Sequence, residues 1–313
     1  MKLFDPRRRM ILVAGKGGVG RSTVAAAIAG ACAQQGRKTL LYETSANDRF
    51  GHYFDKPAVG IEPSQLAPNL WAINVTPAAA LAEYGLMILK LKSIYEMVFE
   101  NRVTKAFVRA IPGIDDFAVL GKAWFHTTEE KRGKPLWDTV VFDLPASGHS
   151  ISMLKVPSVI VETIPEGPVT KDALAAKQLL ADPVRTALVI VTLAEEMPVN
   201  EAIELGGKLT SIGIAPQLTI ANQVFPEHFP AGSPVARILD TLAASPGSLA
   251  TPLRELTAHA VLSSDRRGLN QRYLAELVSR SITPVVELPM LFAKTLGVAE
   301  VNALSRQLVA SAG

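Results

Sequence analysis

A glycine-rich stretch between an apolar run and a run of small residues constrains the fold of this chain more than any other feature. Residues 10–14 are all apolar and predict a buried strand, and residues 22–35 predict a helix. The stretch that joins them reads Gly15, Lys16, Gly17, Gly18, Val19, Gly20, Arg21, Ser22 and Thr23. Glycines allow successive backbone N–H groups to curl around phosphate oxygens, and the helix adds its positive N-terminal end. The sequence therefore predicts that these residues form a phosphate-binding loop.

The spacing of this loop follows G-x-x-x-x-G-K-[ST], with Arg21 at the position of the usual lysine. The pattern predicts a nucleotide site in which the Ser22 hydroxyl binds Mg²⁺ and Thr23 contacts a phosphate. Arginine is a longer, planar cation than lysine, and it can still pair with a phosphate. Nucleotide binding is therefore expected, whereas the rate of hydrolysis stays open. The alternative is a glycine-rich turn without a ligand.

The rest of the chain alternates apolar strands with helical segments. This alternation predicts an α/β fold with a doubly wound, mostly parallel sheet and helices on both faces, and the loop motif makes it the fold of a P-loop NTPase. A hydrophobic content of 48% with 19% charged residues excludes an intrinsically disordered chain. Further strands are predicted at 39–42, 70–75, 137–142, 186–193, 217–221 and 284–288. Further helices are predicted at 171–181, 199–211, 234–244, 269–281 and 298–310.

The alternation is interrupted between residues 78 and 130, where apolar residues recur at helical spacing without a strand pattern. We expect one domain over residues 1–313 with an all-helical insertion at 77–135 and a second helical insertion at 150–183. Apolar residues crowd the segment 86–91. Two interpretations of that segment are open: a groove for an apolar helix of a protein partner, and the core of the insertion itself.

A second motif begins where another apolar strand ends. Residues 140–150 read Val-Val-Phe-Asp-Leu-Pro-Ala-Ser-Gly-His-Ser, and Asp143 closes the apolar part. A carboxylate at such a position is typical of the group that holds Mg²⁺ beside a phosphate-binding loop. Ser22 and Asp143 are therefore the predicted metal ligands.

Both motifs resemble those of one family, the arsenical-pump ATPases and their tail-anchored-protein targeting branch, in its short bacterial form. The G-K-G-G-V-G loop is similar to the deviant P-loop of these dimeric ATPases, and D-L-P-A-S-G-H-S is similar to their switch II. The resemblance implies that Lys16 reaches across a dimer to the partner's nucleotide. It also implies that Gly148 lies near the γ-phosphate and relays its presence to the helical insertion. Arg21 and Asp143 belong to the catalytic set that the resemblance implies.

Two further stretches resemble the adenine site of the same family. Asn222 ends a strand where the family has its adenine-recognition turn, and Pro289 and Leu291 belong to a loop that would lie over the base. For each stretch, the alternative is an ordinary turn at the end of a strand.

Switch I is where the chain departs from the family pattern. The family has an aspartate that positions the attacking water, and Ser45 occupies that register here. Glu43 and Asp48 are the candidates to supply a carboxylate from a shifted backbone, and Asp48 is placed among the catalytic residues. The alternative for both is a solvated loop charge.

Composition bears on partners and on location. The lone cysteine, Cys32, excludes the Cys-x-x-Cys zinc clamp of the targeting branch, argues against a thiolate site for arsenic and suits core packing. The net charge is only +3, which gives no strong indication of nucleic-acid binding. The three arginines at 7–9 are too few to change this, and they could equally form a solvated arm. The sequence has no apolar run of about 18 residues, no signal-peptide pattern and no basic terminal helix for membrane anchoring. We therefore expect a cytoplasmic protein.

The sequence thus predicts a cytoplasmic, Mg·ATP-dependent ATPase that forms a homodimer or a heterodimer with a paralogue. Its nucleotide state would control capture or release of a protein partner bound by the helical insertion. The alternative is a nucleotide-binding scaffold or regulatory subunit with little turnover, paired with an active paralogue. Arg21 and the missing switch I aspartate motivate that alternative.

Overall fold

Apolar runs form most strands of the main sheet, and the segments between them form most of the helices. The computed structural model describes residues 2–45, 47–89 and 113–312. The strands are β1 (Met10–Gly15), β2 (Thr39–Glu43), β3 (Ser64–Ala67), β4 (Leu70–Asn74), β5 (Glu130–Lys131), β6 (Lys134–Pro135), β7 (Thr139–Asp143), β8 (Thr186–Leu193), β9 (Leu218–Val224) and β10 (Val285–Pro289). The helices are α1 (Arg21–Gln34), α2 (Phe50–Tyr53), α3 (Pro77–Leu89), α4 (Ile114–Thr128), α5 (Ser147–Thr163), α6 (Pro168–Ala181), α7 (Glu196–Ser211), α8 (Pro234–Ala244), α9 (Thr251–Arg280) and α10 (Val298–Ala312).

The main sheet has eight strands in the order β10-β9-β8-β1-β7-β2-β4-β3. Every neighbouring pair is parallel except β3 with β4. Strand β1 lies between β7 and β8, with Met10 opposite Val140 and Thr186. Parallel strands that are buried on both faces read as continuous apolar runs, which is why most of them were visible in the sequence. The predicted α/β fold with a mostly parallel sheet is confirmed.

The two faces of the sheet are covered by different helices. Along β1, Ile11 and Val13 pack into the cluster that contains α1 and α10. Met10 and Leu12 pack into the opposite cluster, which contains residues of α4, α5, α6 and α7. Side chains alternate between the faces of a strand, so one apolar run supplies both cores.

Small residues let helix α1 fit between the sheet and α10. All of residues 22–33 are buried. Ser305 on α10 donates a hydrogen bond to the Ala27 carbonyl at 2.8 Å, and a Cβ at Gly30 would lie 2.8 Å from the Ser305 hydroxyl. Cys32 is buried in this packing, and burial raises the pKa of its thiol to about 11. The predicted packing role of this cysteine is confirmed.

Two small β elements were not predicted. Strand β3 pairs antiparallel with β4 at the sheet edge, and its Ser64 and Gln65 are exposed, so it has no apolar pattern. Strands β5 and β6 form a hairpin inside the range 77–135, which we expected to be all-helical. Arg132 and Gly133 connect them with φ of 56° and 72°, as a tight two-residue hairpin turn requires.

Helix α9 begins well before the predicted start at residue 269. Its first half exposes Leu253 (41%), Leu256 (66%) and Leu262 (54%), so it lacks the one-sided apolar stripe that predicts a helix. Its second half buries Tyr273 and Leu277 against the sheet layer.

Helices α3 and α4 pack together within the predicted insertion at 77–135. Residues 90–112 and the side chains of 84–89 lie outside the described residues, and so does the apolar segment 86–91. Helices α5 and α6 occupy most of the predicted second insertion at 150–183. The division into one domain with two insertions stays a prediction.

Of the three arginines at 7–9, Arg7 is exposed, whereas Arg8 and Arg9 pack against the sheet. Arg8 is fully buried and donates to the Thr186 carbonyl at 2.9 Å. Arg9 donates to the carbonyls of Thr127 (2.7 Å) and Asp138 (2.9 Å). Arg8 and Arg9 therefore tie the start of β1 to its neighbours, and the solvated-arm interpretation is wrong for both. Among the helices of the described ranges, none is both long and apolar enough to span a bilayer.

Candidate functional site

The loop between β1 and α1 depends on glycine at particular positions. Gly18 and Gly20 have φ of +89° and +83°, which side-chain-bearing residues rarely adopt. A Cβ at Gly20 would lie 2.3 Å from Nδ2 of Asn222. Around Gly17 and Gly18, by contrast, a Cβ would meet nothing within 4 Å. The loop is packed tightly at its end and leaves open space at its middle.

Arg21, Ser22 and Asp143 form a hydrogen-bonded cluster at the start of α1. Arg21 Nε donates to Oδ1 of Asp143 at 2.7 Å, and Arg21 Nη1 donates to the Gly15 carbonyl at 3.1 Å. Ser22 Oγ donates to Oδ2 of Asp143 at 2.6 Å. The Asp143 side chain is 5% exposed and the Arg21 side chain 13% exposed, so this is a largely desolvated ion pair. Both predicted metal ligands are thus in direct contact.

The segment after β2 approaches the same cluster. Arg49 Nη1 donates to Ser22 Oγ at 2.8 Å. The Asp48 carboxylate accepts from the backbone N–H groups of Phe50 and Gly51 at the start of α2, at 3.0 and 3.1 Å. The predicted catalytic role of Asp48 stays a prediction.

Glu43 lies beside Asp143 because β2 and β7 pair in register at these two residues. It is 1% exposed. Burial, followed by the neighbouring carboxylates of Asp48 and Asp143, raises the pKa of Glu43 to about 8. At neutral pH this carboxyl is therefore mainly protonated, and it adds little negative charge beside the loop.

The raised pKa of Glu43 predicts that stability falls as pH rises from 4.5, the ordinary value, to about 8. Within that window the unfolded chain releases a proton that the folded chain keeps, so stability falls by up to about 1.4 kcal/mol per pH unit. Glu43→Gln should remove this slope because its side chain stays neutral. Urea unfolding of both proteins between pH 5 and 8 measures it. Glu62→Gln, at an exposed position, is the matched control; equal slopes for wild type and Glu43→Gln would refute the assignment.

Lys16 forms an ion pair with a residue outside its own loop. Its Nζ lies 2.5 Å from Oε1 of Glu201 on α7, and both side chains are partly exposed, at 46% and 32%. An exposed ion pair of this kind contributes less than about 1 kcal/mol. Lys16 can therefore leave Glu201 at little cost.

The predicted switch II stretch contacts helix α4. Gly148 lies in the first turn of α5, on the exposed side, and a Cβ there would meet nothing within 4 Å. His149 Nε2 lies 2.6 Å from Oδ1 of Asp116 on α4. The residue after Gly148, the predicted relay residue, thus contacts helix α4 of the predicted insertion.

The predicted adenine residues share one cleft. Asn222, Pro289 and Leu291 line a cavity of about 190 Å³ together with Thr23. Asn222 Nδ2 also donates to the Val19 carbonyl at 3.0 Å, which links the cleft to the phosphate-binding loop. The tertiary structure therefore brings together residues from β9, β10 and α1 that are far apart in sequence.

The donor set fits Mg²⁺. A hydroxyl and a carboxylate, both buried and 2.6 Å apart, offer the hard oxygen ligands that this ion prefers. The site also contains three contacts that the sequence did not indicate: Arg49 with Ser22, Glu201 with Lys16 and Asp116 with His149. No local motif signals them, because each joins separate segments.

Comparisons with known proteins identify the family of this chain. A family model described as anion-transporting ATPase matches residues 8–168 and 167–235. ATPase BagA of Mycobacterium tuberculosis is 30% identical over 228 residues, which cover 70% of this chain and 66% of that relative. An arsenical pump-driving ATPase of Escherichia coli is 29% identical over 277 residues, covering 82% of this chain and 44% of the relative. ATPase GET3 of Kluyveromyces lactis is 25% identical over 267 residues, covering 73% and 76%. This chain thus spans slightly less than two thirds of the mycobacterial relative and under half of the pump ATPase.

Proposed function

Because the chain belongs to the anion-transporting ATPase family, we propose that it is a cytoplasmic enzyme that binds and hydrolyses Mg·ATP at residues 15–23. The observation that carries this proposal is the meeting of the glycine loop, the start of α1 and Asp143 at one end of the sheet. Strands β1 and β7 are parallel neighbours, so their carboxyl ends lie side by side. Ligands of open α/β sheets bind at this end.

Each residue of the site has a proposed part in nucleotide binding. The backbone N–H groups of the loop would bind phosphate oxygens, and Asn222, Pro289 and Leu291 would hold the base. Ser22 and Asp143 would hold Mg²⁺, which when bound neutralises charge on the phosphates. Arg21 would pair with a phosphate through its planar fork.

Arg21 also supports the alternative of a scaffold with little turnover. In the described arrangement its guanidinium is paired with Asp143 and donates to the Gly15 carbonyl. To reach a phosphate it has to give up part of a desolvated ion pair. That rearrangement is a physical reason for slow hydrolysis.

The proposed active form is a dimer, with itself or with a paralogue. Lys16 would leave Glu201 and contact the nucleotide of the partner subunit, since their exposed ion pair is weak. A protein client is proposed to bind at the helical insertion. The contact of His149 with Asp116 supports this coupling, because a change around Gly148 reaches α4 through one hydrogen bond.

Three measurements test the proposal: ATP binding, phosphate release, and the mass of the protein in solution with and without Mg·ATP. We expect saturable binding, slow phosphate release and a doubling of mass. Lys16→Ala should stay monomeric with Mg·ATP, and its turnover rate should fall about 100-fold. This is the size of effect seen when one transition-state donor is removed. Calorimetry, phosphate assay and light scattering give the three readouts.

Lys208→Ala is the matched control, since Lys208 is also paired with a glutamate on α7, at 2.6 Å. It should behave as wild type. Absence of ATP binding would contradict the proposal. Tight binding without turnover, unchanged in Arg21→Lys, would favour the scaffold, whereas a gain of turnover in Arg21→Lys would identify arginine as the cause of slow hydrolysis.

A further inference from the structure

We propose that Arg49 is a nucleotide-binding residue that competes with the metal ion for the hydroxyl of Ser22. The inference rests on the proposed nucleotide site and adds a residue that neither the motifs nor the comparisons assign. Its basis is the hydrogen bond from Arg49 Nη1 to Ser22 Oγ, at 2.8 Å. Ser22 is the hydroxyl that would bind Mg²⁺.

The backbone around Arg49 is held in place by its neighbours. The Asp48 carboxylate accepts from the N–H groups of Phe50 and Gly51, and the Arg49 carbonyl accepts from the N–H of Tyr53 at 3.0 Å. A Cβ at Gly51 would lie 2.5 Å from Oδ2 of Asp48, so the turn is closely packed. The Arg49 side chain therefore starts from a defined point and reaches the loop from the switch I side.

Four side chains form a continuous chain of hydrogen bonds at the loop. Arg49 donates to Ser22, Ser22 donates to Asp143, and Arg21 donates to the other oxygen of Asp143. Arg21 thus pairs with Asp143, and Arg49 reaches the same cluster through Ser22. If each guanidinium turned from its present partner, it would be a charged donor for a polyphosphate before any divalent cation is present.

Arg49 and a metal ion compete for the same oxygen. Ser22 Oγ already accepts from Arg49 and donates to Asp143. A guanidinium and a divalent cation at one oxygen repel each other, so metal binding requires Arg49 to leave Ser22. By linkage, removal of Arg49 should favour the metal and weaken metal-free nucleotide binding.

Binding of a fluorescent ADP, measured by anisotropy in EDTA and across a Mg²⁺ titration, tests both directions. Arg49→Ala is expected to lose about tenfold in ADP affinity in EDTA, the size expected for one charged hydrogen bond. In saturating Mg²⁺ the ADP affinity of Arg49→Ala should stay within about threefold of that of wild type. The Mg²⁺ concentration that gives half of the change in ADP affinity should be several-fold lower for Arg49→Ala than for wild type. Arg49→Lys should recover part of the metal-free affinity.

Lys56→Ala, which removes an exposed cation from the segment that follows α2, should match wild type throughout. Equal metal-free affinity of wild type and Arg49→Ala, or an unchanged Mg²⁺ dependence, would overturn the role of Arg49 while leaving the nucleotide site intact. Failure of wild type to bind ADP in either condition would overturn the nucleotide site and the inference with it. Thermal unfolding of each variant shows that it is folded.

Discussion

Gly20→Ala is expected to lower the free energy of unfolding by about 2 to 3 kcal/mol and to reduce nucleotide binding below detection. The φ of +83° at Gly20 is disfavoured by about 1–2 kcal/mol for a residue with a Cβ. The new Cβ would lie 2.3 Å from Nδ2 of Asn222, so that buried amide has to move. Its hydrogen bond to the Val19 carbonyl, worth about 1 kcal/mol, would be lost. The same movement displaces Asn222 from the proposed base cleft.

Alanine variants of two neighbouring glycines distinguish the effect of backbone strain from the effect of the contact with Asn222. Gly18→Ala has similar backbone strain, with φ of +89°, and meets nothing within 4 Å. It should be destabilised by about 1 kcal/mol. Gly17→Ala has neither feature and should be nearly neutral. Urea unfolding without nucleotide measures all three, and equal losses for Gly18→Ala and Gly20→Ala would show that the contact with Asn222 contributes nothing.

Arg21→Ala is expected to destabilise the fold by about 3 kcal/mol, because it leaves the Asp143 carboxylate, 5% exposed, without its cation. Asp143→Asn should cost less, since an amide still accepts one hydrogen bond and donates another. The double variant Arg21→Ala/Asp143→Asn should lose about 2 kcal/mol less stability than the two single variants lose together, because it leaves no charge of this pair without its partner. Urea unfolding of the four proteins at pH 7 completes the cycle.

The pair Lys208 and Glu204 provides the control cycle, because it is an exposed ion pair on α7. Its coupling energy should stay below about 0.5 kcal/mol. Additive losses for Arg21 and Asp143 would contradict their assignment as a coupled buried pair. Asp143→Asn should in addition weaken Mg²⁺ binding by about 10- to 100-fold, as expected for a group that holds or orients a metal ligand.

The parts of the fold that could be predicted are those whose signal is local. Strand β1, the loop and α1 are adjacent in sequence, and the apolar run, the glycines and the small residues each report one conformation. Asp143 was predicted for the same reason, since a carboxylate directly after a buried strand lies at the sheet end where a phosphate-binding loop also lies. Strand β3 and the first half of α9 were missed because they are exposed and have no apolar period.

The side-chain contacts of the site could not be read in the same way. Arg49 resembles any loop arginine in the sequence, and its contact with Ser22 exists only because α2 places it beside the loop. Glu201 and Asp116 likewise gain their meaning from helices α7 and α4. The high pKa of Glu43 arises from a strand register that sets it beside Asp143.

The sequence by itself therefore determined the fold class, and it supplied the proposals of a phosphate-binding loop and two metal ligands, because each depends on residues that are close along the chain. Only the tertiary structure decided how the charges of the site are paired. Arg21 neutralises Asp143, Arg49 contacts Ser22 and Lys16 turns to Glu201. Electrostatic interactions depend on distance and burial, and both are set when separate segments pack together.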